Sequence, residues 1–168
     1  MPITLSQAAL APLTRQLTVL SKLLEKGAAF AAANGIDEAD LLASRLAPDM
    51  APLSRQVQIA SDGAKGGVAR LAGQEPPSFA DDETTIAQLQ ERVAKTLAFI
   101  QSVPASAIDG SEDRAITLKA GPREFKFTGQ DYLLHFVLPN FFFHVTTAYA
   151  LLRHRGVEIG KMDYLGGV

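Results

Sequence analysis

The chain has 168 residues and a mass of 17.9 kDa, a length that predicts one domain over residues 1–168. Apolar residues make up 47% and charged residues 20%, which excludes extended disorder. The 16 basic and 18 acidic residues leave a net charge of −2, without the electrostatic footprint of a nucleic-acid partner.

There is no cysteine, so disulfides, thiolate nucleophiles and thiolate metal sites are ruled out. No basic stretch precedes an apolar run at the N-terminus, and no apolar run approaches the roughly 20 residues of a membrane span. These features predict a cytoplasmic protein without a membrane association.

Leu5, Ala9, Leu13, Leu17, Leu20 and Leu24 recur at helical steps, predicting a first long helix over residues 5–33 with Thr4 or Ser6 as its cap and Asn34-Gly35 as its stop. Pro12 lies inside this stripe and predicts a kink there, or a regular helix that starts near residue 11. Asp37-Glu38-Ala39-Asp40 reads as the first turn of a short helix. Met50, Leu53, Val57, Ala60, Ala64, Val68 and Leu71 give a second long helix over residues 50–71. Its Gly63, Gly66 and Gly67 weaken a helix or mark the close approach of another surface.

Ile86, Leu89, Val93, Leu97 and Ile100 form the clearest amphipathic stripe, over residues 83–101, closed by Pro104. The period then changes. Ile116 and Leu118, then Phe125 and Phe127, alternate with polar residues around Ala120-Gly121-Pro122, which predicts a β-hairpin over residues 114–128 with its apolar face on the helices. A last helical region runs over residues 130–155. Pro139 divides it, with Asn140 capping the second half, and the tail from Gly160 is irregular. Four amphipathic helices of this length must bury their stripes against one another, so the predicted class is all-α, a four-helix bundle with a small β-hairpin before the last helix.

No dinucleotide, phosphate-loop, zinc-protease or nucleophile-elbow motif occurs. All 3 histidines and most of the aromatics fall in the last third of the chain. His154, between Arg153 and Arg155, reads as a cation at a helix C-terminus. His144 sits in the most apolar helix, one turn after Asn140, and has two readings: a buried imidazole hydrogen-bonded to a neighbour, or a ligand-binding or proton-transfer group. Polar groups in so apolar a setting need partners, and Gln56 and Asp49 on the second long helix are candidates. Tyr149 joins the set as a further polar tip on the last helix.

Arg45-Leu46-Ala47-Pro48-Asp49-Met50, Gln56-Val57, the run from Pro139 to Tyr149 with Leu152-Arg153-His154, and Gly160-Lys161-Met162-Asp163-Tyr164-Leu165-Gly166 are similar to a bacterial domain family of unknown function that itself resembles the DinB/YfiT-like superfamily. The resemblance implies a bundle with a long crossover and a homodimer. In many members it also implies a divalent metal on three histidines, one from the second helix and two, four residues apart, from the last. Here His144 matches one position, Ala148 stands where its partner would be, and Gln56 is the nearest polar group on the second helix. One imidazole and a neutral amide make a poor metal site, so no metal is expected and the cofactor stays open. The expected function is a non-catalytic or small-ligand-binding DinB-like domain with a degenerate metal site, its candidate residues being His144, Asn140, Tyr149, Gln56 and Asp49. The alternative is a metal-dependent hydrolase or transferase of the DinB/YfiT type using His144.

Overall fold

A computed structural model describes residues 2–167. Helix α1 spans Leu5–Asn34. Thr4 caps it reciprocally with Gln7: each side chain accepts from the other's backbone N–H. Gly35, at φ 63°, supplies the left-handed residue that ends it. Pro12 lies within α1, whose regular part starts at Leu5 and not at residue 11. Asp37 caps the short α2 (Glu38–Leu42). Helix α3 spans Leu53–Leu71 and starts three residues later than its apolar period suggests, because Pro52 sits in extended conformation at its cap.

Helix α4 (Ile86–Ser102) opens with a second reciprocal cap, between Thr85 and Gln88. Its buried stripe is Ile86, Leu89, Val93 and Ile100, while Leu97 packs at the edge of the core. The short α5 (Ala105–Ile108) leads to β1 (Ile116–Ala120) and β2 (Arg123–Phe127). These pair antiparallel with Ile116 opposite Phe127 and Leu118 opposite Phe125. The turn is only Gly121-Pro122, since Ala120 pairs with Arg123. The hairpin joins the core at its base alone, through Ile116 and through Phe127, whose ring meets Tyr132 and Phe136. Phe125 is 40% exposed, so the expected packing of the whole apolar face on the helices does not occur.

The last helical region is continuous. Thr128 caps α6 (Gly129–Asp131), which passes through a π-helical segment (Tyr132–Val137) into α7 (Leu138–His154). Pro139 does not divide it and Asn140 is not a cap. In α-register the proline ring would clash with the carbonyl four residues earlier. The wider π turn just upstream changes the register at the point where the proline enters. The tail is not wholly irregular: α8 (Lys161–Tyr164) folds back on α1, where Arg15 and Gln16 donate to the carbonyls of Leu165 and Tyr164.

The bundle is a ring in which α1 and α3 lie diagonally, each packed against both α4 and α7. The α1–α3 and α4–α7 connections therefore cross the bundle, the first through α2 and the second through α5 and the hairpin. One continuous cluster of buried side chains, including Leu17, Leu20, Val57, Val93, Phe141 and Leu152, runs between the four long helices. The glycines of α3 are spent inside the chain: Gly67 faces Val137 and Gly63 faces Asn140. They seat the last helix against α3, the second of the two roles that the sequence offered for them.

Candidate ligand-binding site

The site begins where α3 starts without a side-chain cap. Gln56, in its first turn and 1% exposed, turns back so that Nε2 donates to the carbonyl of Ala51 at 2.9 Å. The Arg45 guanidinium donates to the neighbouring Met50 carbonyl and holds the same stretch of chain from the other side. A carbonyl can only accept, so the Gln56 atom beside Ala51 is the amide nitrogen, and the amide oxygen faces the other way. It faces His144, whose Nδ1 lies 2.7 Å from Gln56 Oε1. That oxygen has no proton to give. Nδ1 therefore carries the proton, and in the neutral imidazole the lone pair sits on Nε2.

Burial lowers the pKa of His144, and the nearby Arg55 lowers it further. The ring is thus held neutral at pH 7 in a single tautomer. Nε2 has no hydrogen-bond partner among the described residues. Nor is it sealed away, since Arg92 Nε is the sole buried side-chain nitrogen or oxygen without a partner among the described residues. The imidazole and the Phe143 ring pack at right angles, with centroids 5.1 Å apart. Phe143 and Thr147, on one side of His144 around α7, line an open groove of about 500 Å³ with Leu46, Met50, Phe142, Thr146 and Ala150, to which His144 itself does not contribute.

The other sequence candidates divide. Asn140 lies one turn before His144 and packs its amide over Gly63 of α3, where a Cβ would stand 3.3 Å from Nδ2. It shares the α3 side of α7 with His144. Tyr149 is five residues past His144, about 140° around the helix, and stacks edge-on against Tyr164 of α8, centroids 5.7 Å apart. Asp49 is exposed in the turn before α3 and makes no side-chain hydrogen bond or ion pair with His144 or Gln56 among the described residues.

A second polar cluster has no counterpart in the sequence reading. Arg92 of α4 is 2% exposed and donates to Glu83 at 2.9 Å, to Asp62 at 2.7 Å and to the Ala80 carbonyl at 2.8 Å, with Asp81 at 3.0 Å. Lys65 of α3 joins Asp62 at 2.8 Å. The Phe79 ring lies over both cations, 4.8 Å from Lys65 Nζ. Burial pulls Asp81 and Glu83 upward, but Arg55 and Arg92 outweigh it at Asp81, and Arg92 with Gln58 at Glu83, so both carboxyls lie below their ordinary range. This charge-balanced clasp ties the loop between α3 and α4 to the bundle. Asp81 and Glu83 lie in a loop with no period, so nothing local in the sequence announces their shared partner.

These helices, crossovers and hairpin define a DinB-like four-helix bundle. A DinB family member protein from Shewanella denitrificans, known from its crystal structure, superposes with a TM-score of 0.89 at 39% identity, over 98% of this chain and 93% of that chain. Residues 5–165 match the family described as Domain of unknown function (DUF1993), and the chain belongs to that family. No curated protein matches it.

The three-histidine metal that the fold family implies does not fit these residues. Gln56 has its oxygen committed to His144 and its nitrogen to Ala51. Ala148 presents only a methyl group, fully buried. No group of three or more histidine, cysteine, aspartate or glutamate side chains that could hold a metal ion occurs among the described residues. Among the described residues, no helix is long and apolar enough to cross a membrane.

Proposed function

We propose that the protein is a small-ligand-binding DinB-like domain whose recognition group is the Nε2 lone pair of His144. The single observation behind this reading is the His144–Gln56 hydrogen bond, which fixes the tautomer and leaves Nε2 as an open acceptor beside an apolar groove. An open acceptor of this kind takes a small molecule carrying one hydroxyl or amine donor: the donor meets the imidazole, and the apolar part packs on Phe143, the ring that touches the imidazole and also lines the groove. Asn140 lies within one turn and borders the same site, whereas Tyr149 and Asp49 are not needed for it.

The test is a titration with phenol, followed by NMR on the His144 ring. The expected result is a saturable shift at His144 and at the Phe143 ring beside it, the latter lost in His144→Phe, which keeps an aromatic of similar size but removes the lone pair. A His144 resonance that phenol does not move, or equal phenol binding by the variant, overturns the reading.

The same reading has the chain as one domain over residues 1–168, working as a homodimer in the cytoplasm. Support for the dimer comes from the apolar surface of the last helical region, where Leu134 is 45% and Phe143 55% exposed. Light scattering at micromolar concentration tests it: twice 17.9 kDa is expected, and a monomer mass refutes it. The compartment rests on a cysteine-free composition alone.

A further inference from the structure

At the opposite end of α3 from His144, the helix C-terminus and β1 enclose an open cleft of about 510 Å³. Arg70, Arg114 and Lys119 line it, against one carboxylate, Glu75, with Gln74 and Thr117 as neutral polar groups. The two guanidinium groups are held in place by neutral acceptors. Arg70 Nη1 donates to the hydroxyl of the buried Tyr132 at 3.2 Å, and Arg114 Nη1 to the Leu71 carbonyl at 2.7 Å. Glycines make room for both: a Cβ at Gly66 or Gly73 would stand 2.6 Å from Nη1 of Arg70 or of Arg114.

Each guanidinium has five N–H donors in a planar fork. The rest of each fork has no protein acceptor among the described residues. Neither arginine, nor Lys119, forms an ion pair among the described residues. Arg92, by contrast, has three carboxylates around it. Two anchored forks and a lysine facing one cleft, in a protein of net charge −2, are the chemistry that receives an oxyanion.

We propose that this cleft is a second binding site, for a small molecule carrying a phosphate or carboxylate group. Arg70 and Arg114 supply the directed hydrogen bonds and Lys119 a mobile charge. The competing explanation is that Arg114 only satisfies the last carbonyls of α3. Lys119 separates the two, because it is exposed on β1 opposite Glu124 and its side chain makes no hydrogen bond or ion pair among the described residues.

The experiment is calorimetric titration of the full chain with inorganic phosphate, pyrophosphate and succinate at low salt, on the native sequence, Lys119→Gln and Arg114→Gln. Saturable binding of at least one anion is expected, weakened about threefold by Lys119→Gln and about tenfold by Arg114→Gln, and falling with added sodium chloride. The preferred anion distinguishes a phosphorylated from a carboxylated ligand. Thermal unfolding of both variants guards against a folding effect: Lys119→Gln should melt with the native protein. The proposal is overturned if none of the three binds saturably up to about 10 mM, a concentration well past a millimolar Kd. It is overturned equally if Lys119→Gln binds with native affinity.

Discussion

Gly67 of α3 and Val137, at the end of the π-helical segment, are packed so closely that a Cβ on the glycine would stand 2.6 Å from one methyl of the valine and 3.1 Å from the other. A β-branched side chain in a helix has little rotamer freedom to move away. Gly67→Ala should therefore destabilise the protein by about 1–3 kcal/mol from overpacking, against a gain of only about 1 kcal/mol in helix propensity. Urea unfolding measures the net sign. Adding Val137→Ala should recover part of the loss, and a Gly67→Ala protein more stable than the parent would show that the two helices can move apart freely.

Replacing Gln56 by leucine keeps the bulk in the first turn of α3 but removes the acceptor for His144 Nδ1 and the donor to Ala51. Stability should fall by about 1–3 kcal/mol, the range for polar groups left unpaired on burial. The imidazole should also lose its tautomer preference, which nitrogen chemical shifts of a labelled His144 report directly. An imidazole still protonated on Nδ1 in Gln56→Leu would mean that another group selects the tautomer.

Acid should work against the His144 environment. Its folded pKa is depressed below the ordinary 6.5 by burial, then by Arg55, so across that interval the unfolded chain binds the proton more readily. Stability therefore rises with pH through the interval, is complete above about pH 6.5, and falls as pH drops towards the folded value. The stability difference between the native protein and His144→Gln should be flat above about pH 7 and shift against the native protein below about pH 6.5. Carboxylates such as Asp81 and Glu83, depressed in the fold, act at lower pH and cancel in that difference. A difference with no pH dependence between 5 and 7 would place the ring in a water-like environment.

Arg92→Met retains the stem of the side chain and removes the charge that Glu83, Asp62 and Asp81 share. A loss of about 2–4 kcal/mol is expected, below the usual cost of breaking a fully buried pair. The reason is that Asp62 and Asp81 keep more than a third of their side-chain surface in water, at 38% and 39% exposed, and can rehydrate. Amide exchange should show the loop between α3 and α4 opening first. Equal protection of that loop in both proteins would separate the clasp from loop anchoring.

The four long helices were legible because apolar residues at three- and four-residue steps carry the period, and because Thr4 and Gly35 mark the ends of the first with groups that have little other use there. The α3 start was misjudged because Met50 continues the period into a turn that Pro52 keeps extended. Pro139 was read as a break because sequence rules assume α-register, and a π turn is a property of backbone geometry that no residue pattern in the chain announces. Gln56 was recognisable as a polar residue beside the Val57 stripe, but its pairing with His144 is a contact across 88 positions. Tyr149 was counted with His144, although five residues of helix, about 140° of rotation, put it on another face. Arg92 escaped for a further reason. Its acids come from two elements, and only the folded loop brings them together.

The π-helical segment also sets an angular phase. A hydrogen bond spanning five residues encloses one residue more than the α-helical bond spanning four, and one residue is about 100° of rotation. Everything beyond Val137 is therefore turned by about that amount relative to an uninterrupted α-helix. Shortening Tyr132–Val137 by one residue would leave the composition of the last helix almost intact but swing His144 away from Gln56 and bring a different row of side chains against α3. The segment works as a dial, and the single extra residue within it decides which side of the last helix meets the bundle.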